Sequence, residues 1–195
     1  MSGSVAGVRA ARSAVLRARP GAVAVDARRV MAERYPGTEA AVARHFLFGE
    51  EAPFGDGADN GAMKRRIGWD MVYDADARAL WSFVDFRKDG MLGNTQGYVH
   101  GGCLGAVFDG ALGTLFTVSG TAGFTANLSV DYRKPVEIPS VLMLYAEIDE
   151  VDGRKIYISG RLTDPLVHAT SGLPATEAQV YTEASALFLG LKESA

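Results

Sequence analysis

Cysteine is almost missing from this 195-residue chain. Cys103 stands alone, which excludes an intrachain disulfide and fits a reducing compartment. Histidine is scarce as well: three scattered residues and one cysteine form no metal-ligand cluster, so no structural metal is expected. Positive charge is in slight deficit. With 20 Lys and Arg against 23 Asp and Glu, the net charge of −3 leaves no basic excess to neutralise phosphates, and this argues against a nucleic-acid partner. The remaining composition, 48% apolar and 22% charged, is that of a globular chain. Its length suits one domain with an appended terminus and a sizeable core.

Acidic residues are wholly absent from residues 1–25, where Arg9, Arg12, Arg17 and Arg19 stand among Ser and Ala. That composition predicts a mitochondrial transit peptide, with a disordered basic tail as the alternative. The amphipathic spacing is untidy, because Leu16 falls on much the same side as Arg9 and Arg12. Residues 26–63 read as a helical extension and loop. Asp26 caps a short helix over 26–35 that stops at Pro36-Gly37, and Thr38 caps a second over 38–48. The acidic, glycine-rich stretch 49–63 reads as a loop.

The domain proper is expected over 64–195. Two strands, 67–73 and 80–86, are joined by a turn at Asp74–Asp76, and a loop fills 87–99. The run GYVHGGCLGAVFDGALGTLFTVSG (97–120) is apolar enough to pass for a membrane span, yet it holds Asp109 at its middle. A lone carboxylate in hydrocarbon is costly, so a helix buried in a soluble fold, bringing one acid to a working surface, fits better than a membrane span. Residues 123–133 show clean period two, with Phe124, Ala126, Leu128, Val130 and Tyr132 on one face. Thr125, Asn127, Ser129, Asp131 and Arg133 fall on the other. Strands 141–150 and 155–162 flank Asp152-Gly153, a hairpin signal. A long connection, 164–176, precedes the last strand at 178–189. Strands, one long helix, then antiparallel strands make an α+β pattern.

His100-Gly101-Gly102 followed by an acid nine residues on, then GFTANLSVDYRKPV, EVDGRKIYISG and YTEASALFL, resembles the hotdog-fold acyl-CoA thioesterases. The likeness runs from about Gly68 to Leu191 and is to the thioesterase superfamily member (PaaI-like) branch. It implies an antiparallel sheet wrapped around the central helix and a site built across a homodimer or larger assembly of dimers. It also implies a location in the mitochondrion, as in many members of that branch, with the cytoplasm otherwise. No cofactor is implied, coenzyme A being part of the substrate.

Thioester hydrolysis needs an activated water or a carboxylate nucleophile, and donors for the developing oxyanion. The first N–H groups of a helix lack intrahelical partners, so Gly102, or Gly101, is the candidate oxyanion donor. His100 could polarise the carbonyl or simply cap the loop. Asp109 is the candidate general base or nucleophile, with an interface or capping role as the bland alternative. Nine residues of straight helix at ~1.5 Å each put Asp109 roughly 13 Å from His100. A dimer that sets Asp109 of one copy against the helix start of the other removes that gap. The resemblance gives Thr125 the role of holding the acid or the water, with Asn127 as a weaker helper; an ordinary strand threonine is the alternative. Arg154 and Lys155 are weak candidates for the coenzyme A phosphates, solvated strand-end charges being as good a reading. Cys103 reads as a small buried hydrophobe. Two other functions stay open: a non-catalytic hotdog protein that binds acyl-CoA or a protein partner, and a dehydratase, which would want a histidine and an acid together.

Overall fold

The computed structural model describes residues 5–26, 29–30, 33, 55–59, 62–65, 67–86, 93, 96–164 and 180–191. Its centre is one apolar helix, α2 (Gly101–Val118), lying on a seven-stranded sheet. In chain order the other elements are α1 (Val5–Ala18), β1 (Val23–Val25), β2 (Gly55–Asp59), β3 (Ala62–Arg65), β4 (Ile67–Asp74) and β5 (Ala79–Phe86). After α2 come β6 (Gly123–Tyr132), β7 (Ser140–Asp152), β8 (Lys155–Thr163) and β9 (Val180–Gly190). The sheet order is β1-β4-β5-β7-β8-β9-β6 with every neighbour antiparallel. β6 therefore stands at one edge of the sheet. This is the expected α+β hotdog arrangement.

Strict alternation decides which side of each strand meets the helix. Leu80 and Val84 of β5, Leu142 and Leu144 of β7, Ile156 and Ile158 of β8, and Ala184, Ala186 and Phe188 of β9 are buried in one core with α2. Against them α2 presents Leu104, Val107, Phe108, Ala111, Leu112, Leu115 and Phe116. Glycine-rich sequences are poor intrinsic helix formers, so this burial is what stabilises the helix. The helix ends where Gly120, at φ 96, takes the left-handed conformation and donates its N–H to the Thr117 carbonyl. Length and composition alone would let α2 cross a membrane, but most of it is buried inside the fold.

The opposite face of the sheet carries a second apolar set: Val72, Ala79, Trp81, Phe83 and Met143. Val15 of α1 and Ala22 cover it. Within the stretch 1–25, whose composition suggested a transit peptide or a basic tail, α1 docks on this face and β1 pairs with β4. Arg12 pairs with Asp70 at 3.0 Å, and Arg19 pairs with Asp74 at 3.2 Å while lying 4.6 Å over the Trp81 ring. The Ala77 N–H, with help from Arg19 and the Asp76 N–H, holds the Asp74 carboxyl below its ordinary value despite its burial. Its contribution to stability is thus complete at neutral pH and lost only as pH falls through that lowered value.

Other boundaries differ from the sequence reading in traceable ways. The sheet takes up residues 23–25 and so begins before residue 64. Part of the expected loop over 49–63 is a strand pair: β2 and β3 run antiparallel, with Ala58 opposite Met63 and Asp59 opposite Ala62. Asp26 does cap a helical turn, accepting the Arg29 N–H at 3.3 Å. The second helix at 38–48 lies outside the described residues, as does nearly all of the 164–176 connection.

The largest correction concerns β6. Its pairing to β9 shifts between Thr125 and Asn127, leaving residue 126 as an extra residue. The bulge reverses the alternation, so Thr125, opposite Phe188, joins Leu128 and Val130 on the helix side. Phe124 turns to the outer face and is 69% exposed. Asn127, opposite Leu187, also points outward, so it does not share a face with Thr125.

Candidate active site

Four residues of α2 at four-residue spacing, Gly101, Gly105, Asp109 and Gly113, form a half-buried stripe on a helix that is otherwise mostly buried. Asp109 is the acid on this stripe. The bulge in β6 aims Thr125 at it, and the Thr125 hydroxyl donates to Asp109 Oδ1 at 2.9 Å. That bond fixes the carboxylate and leaves its second oxygen as an acceptor toward solvent. Asp109 and Thr125 are candidates from two different elements that the fold brings into contact.

At the start of the helix, His100 is the N-cap, extended at φ −65 and ψ 138. The preceding loop is pinned from below: Val99 donates to Val136 O at 2.8 Å and Ile138 donates to Gly97 O at 3.1 Å. The His100 Nδ1 accepts the Gly102 N–H at 3.0 Å. Two consequences follow. The Gly102 N–H is engaged by a side chain, whereas the Gly101 N–H has no partner among the described residues. A neutral imidazole accepting at Nδ1 carries its proton on Nε2, which leaves that N–H as a donor on an exposed ring. Helix start and acid are well separated, since eight residues at ~1.5 Å set Gly101 about 12 Å from Asp109.

The remaining candidates sit elsewhere. Arg154 donates to Gly190 O at 3.0 Å, and Lys155 lies 3.9 Å from Asp152, both at the β7–β8 turn. Burial pushes the Cys103 thiol up to about 12, so it carries no thiolate near neutrality, in keeping with its reading as a small buried hydrophobe. Sequence reasoning overlooked Tyr132, whose hydroxyl donates to Gly101 O at 2.9 Å. Nothing in the period-two pattern separates it from the core residues of its strand. A cavity of about 420 Å³ opens beside β1 and the C-terminal end of α2, lined by Val23, Val25, Val30, Tyr73 and Val118 among others. It shares no residue with the acid or the helix start.

An antiparallel sheet wrapped on a glycine-rich helix, with an acid held from the neighbouring strand, is the architecture of the hotdog proteins. Residues 96–165 match the thioesterase superfamily, a span containing His100, Asp109, Thr125, Tyr132 and Lys155. Among curated proteins it is similar to the mouse acyl-coenzyme A thioesterase THEM4, at 33% identity over 100 residues, 51% of this chain and 39% of that one. The match thus spans about two fifths of that relative's length. A solved thioesterase superfamily protein shares 19% identity, covering 97% of this chain and 93% of its own, with a TM-score of 0.52. A Streptococcus mutans protein solved with acetyl CoA bound shares 15% identity, covering 64% of this chain and 89% of its own, with a TM-score of 0.52. These two likenesses establish the fold.

Proposed function

We propose that this chain hydrolyses acyl-CoA thioesters to a carboxylic acid and coenzyme A, at a site shared by two copies. The observation that carries the reading is the Thr125–Asp109 bond on the half-exposed stripe of α2. A carboxylate fixed at one oxygen presents the other to a water. Asp109 takes a proton from that water as it attacks the thioester carbonyl carbon, and the oxyanion forms against the Gly101 N–H and His100 Nε2–H. Collapse of the tetrahedral species expels coenzyme A as its thiolate, which the proton held by Asp109 neutralises. The alternative in which Asp109 itself attacks, giving an anhydride, uses the same geometry. The mouse relative's name, acyl-coenzyme A thioesterase, supports the substrate class. So does the solved neighbour's bound acetyl CoA. Arg154 and Lys155 are the candidate contacts for the coenzyme A phosphates. The mitochondrial location belongs to this reading too, with residues 12–22 staying attached after import, because Val15 and Ala22 cover Trp81 and Phe83.

The second copy is required by distance. Reacting atoms approach to about 3–3.5 Å, far less than the span from Asp109 to its own helix start. β6 supplies the means: a ten-residue edge strand invites pairing. Two β6 edges paired antiparallel about a two-fold axis at Ser129 set Leu128 opposite Val130 of the second copy. Because residue 126 is the extra residue of the bulge, the same register sets Thr125 opposite the second copy's Tyr132. The acid end of one copy then meets the helix start of the other.

Two measurements test this. Thiol release from acyl-CoA substrates of increasing chain length is expected to show turnover peaking at one length; binding without release at any length would move the assignment to the non-catalytic reading. Ser129→Cys is expected to form a disulfide-linked dimer on oxidation, since Cα atoms directly opposite in an antiparallel pair lie ~4.5–5.5 Å apart, within disulfide reach. Cys103 is buried and does not compete. A variant that stays monomeric under oxidation contradicts the register.

A further inference from the structure

We propose that Tyr132 is a positioning residue for the carbonyl-binding turn, acting through the backbone of Gly101; the kinetic part of this inference rests on the function proposed above. Two adjacent glycines give the start of α2 more torsional freedom than any other pair of residues would. A catalytic donor there needs fixed geometry, because an oxyanion hole works by preorganisation. The peptide unit between Gly101 and Gly102 follows the Gly101 N–H donor across a single Cα and is planar, so its carbonyl and its own N–H, that of Gly102, move together. In this structure both ends of that unit are held. The Tyr132 hydroxyl donates to the Gly101 carbonyl at 2.9 Å, and His100 Nδ1 accepts the Gly102 N–H at 3.0 Å.

The ring adds a steric element. A Cβ on Gly101 would lie 3.3 Å from Tyr132 Cζ, and one on Gly105 would lie 3.8 Å from the Tyr132 hydroxyl. The ring therefore rests along the first turn of the helix, close enough to Gly101 that a Cβ there would press on it, and at ordinary contact distance from Gly105. β6 thus holds α2 at two points, the acid through Thr125 and the helix start through Tyr132. The bulge at 125/127 makes both possible, since without it the two side chains would face opposite sides of the sheet. Tyr132 is 55% exposed, so its free side borders the mouth of the site without being consumed by core packing.

Tyr132→Phe keeps the ring and removes the hydroxyl. The expected result is a fall in kcat of about tenfold with KM within about twofold, because a loosened donor weakens the transition state more than the bound ground state. Amide hydrogen exchange over residues 100–105 is expected to accelerate, with exchange in β7 and β8 unchanged. Gly101→Ala, which presses on the ring while keeping the hydroxyl, should give the same pattern in milder form. The exchange measurement does not depend on turnover. If wild type releases no thiol from any acyl-CoA, the function fails, and faster exchange at residues 100–105 still supports the clamp. Exchange at 100–105 unchanged in Tyr132→Phe overturns the proposal whatever the kinetics. So does a KM rise matching the whole loss of activity.

Discussion

Asp109→Asn is expected to lower kcat by about 10³-fold, within the 10²–10⁴ that a positioned general base contributes, while leaving fold and association unchanged. The substitution is nearly isosteric. Its amide oxygen can still accept from Thr125, so the local geometry survives and the basic oxygen alone is removed. Asp109 is half-buried on the open stripe of α2, outside the apolar contacts of the core, so little stability depends on its charge. Steady-state thiol release, read beside the thermal midpoint, separates the two effects. A loss below about tenfold would place Asp109 outside the chemical step and leave Thr125 holding an acid with a structural role only.

Gly123→Ala is expected to destabilise the chain by about 3 kcal/mol or more, the upper range for forcing atoms into a packed site. A Cβ at residue 123 would lie 2.0 Å from the Leu189 carbonyl oxygen, 2.8 Å from its carbon and 2.9 Å from Phe116 Cζ. The first two are backbone of β9, which no rotamer change can move aside. β6 would have to peel away at its start, two residues before Thr125, so the Thr125–Asp109 bond is lost with the strand pairing. Denaturant unfolding and kcat should therefore fall together. A change in stability under about 1 kcal/mol would mean that the β6–β9 contact yields more easily than close packing allows.

Much of this was readable from the chain because the signals are local. The 18 residues of α2 are bounded by His100 and Gly120, both visible in sequence, and the strands at 67–74, 79–86 and 155–163 lie within one residue of their expected bounds. The Thr125–Asp109 pair was anticipated from the family resemblance, whereas its geometric cause was not. A bulge is a mismatch between two strands, and the partner of β6 lies far along the chain in β9, so one-strand periodicity could not show it. The same limit hid Tyr132, whose partner is a backbone carbonyl on another element. It also misplaced Asn127. The docking of the N-terminal helix was hidden for a related reason: the partners of Arg12 and Arg19 are Asp70 and Asp74 of β4, far along the chain. His100, by contrast, was read both as a polarising group and as a cap, and the one ring has a nitrogen for each.

The most direct test of a shared site is complementation between two inactive variants. Asp109→Asn lacks the base. Gly101→Pro lacks the N–H donor yet suits the first helical position, and the extended His100 before it accepts a following proline. Coexpressed, half of the dimers are mixed, and each mixed dimer has one site with both wild-type parts. The expected activity is about a quarter of wild type, well above either parent, in a two-fold dimer. Activity no greater than that of the separate parents would contradict the account, because it would mean that each acid works with its own helix start.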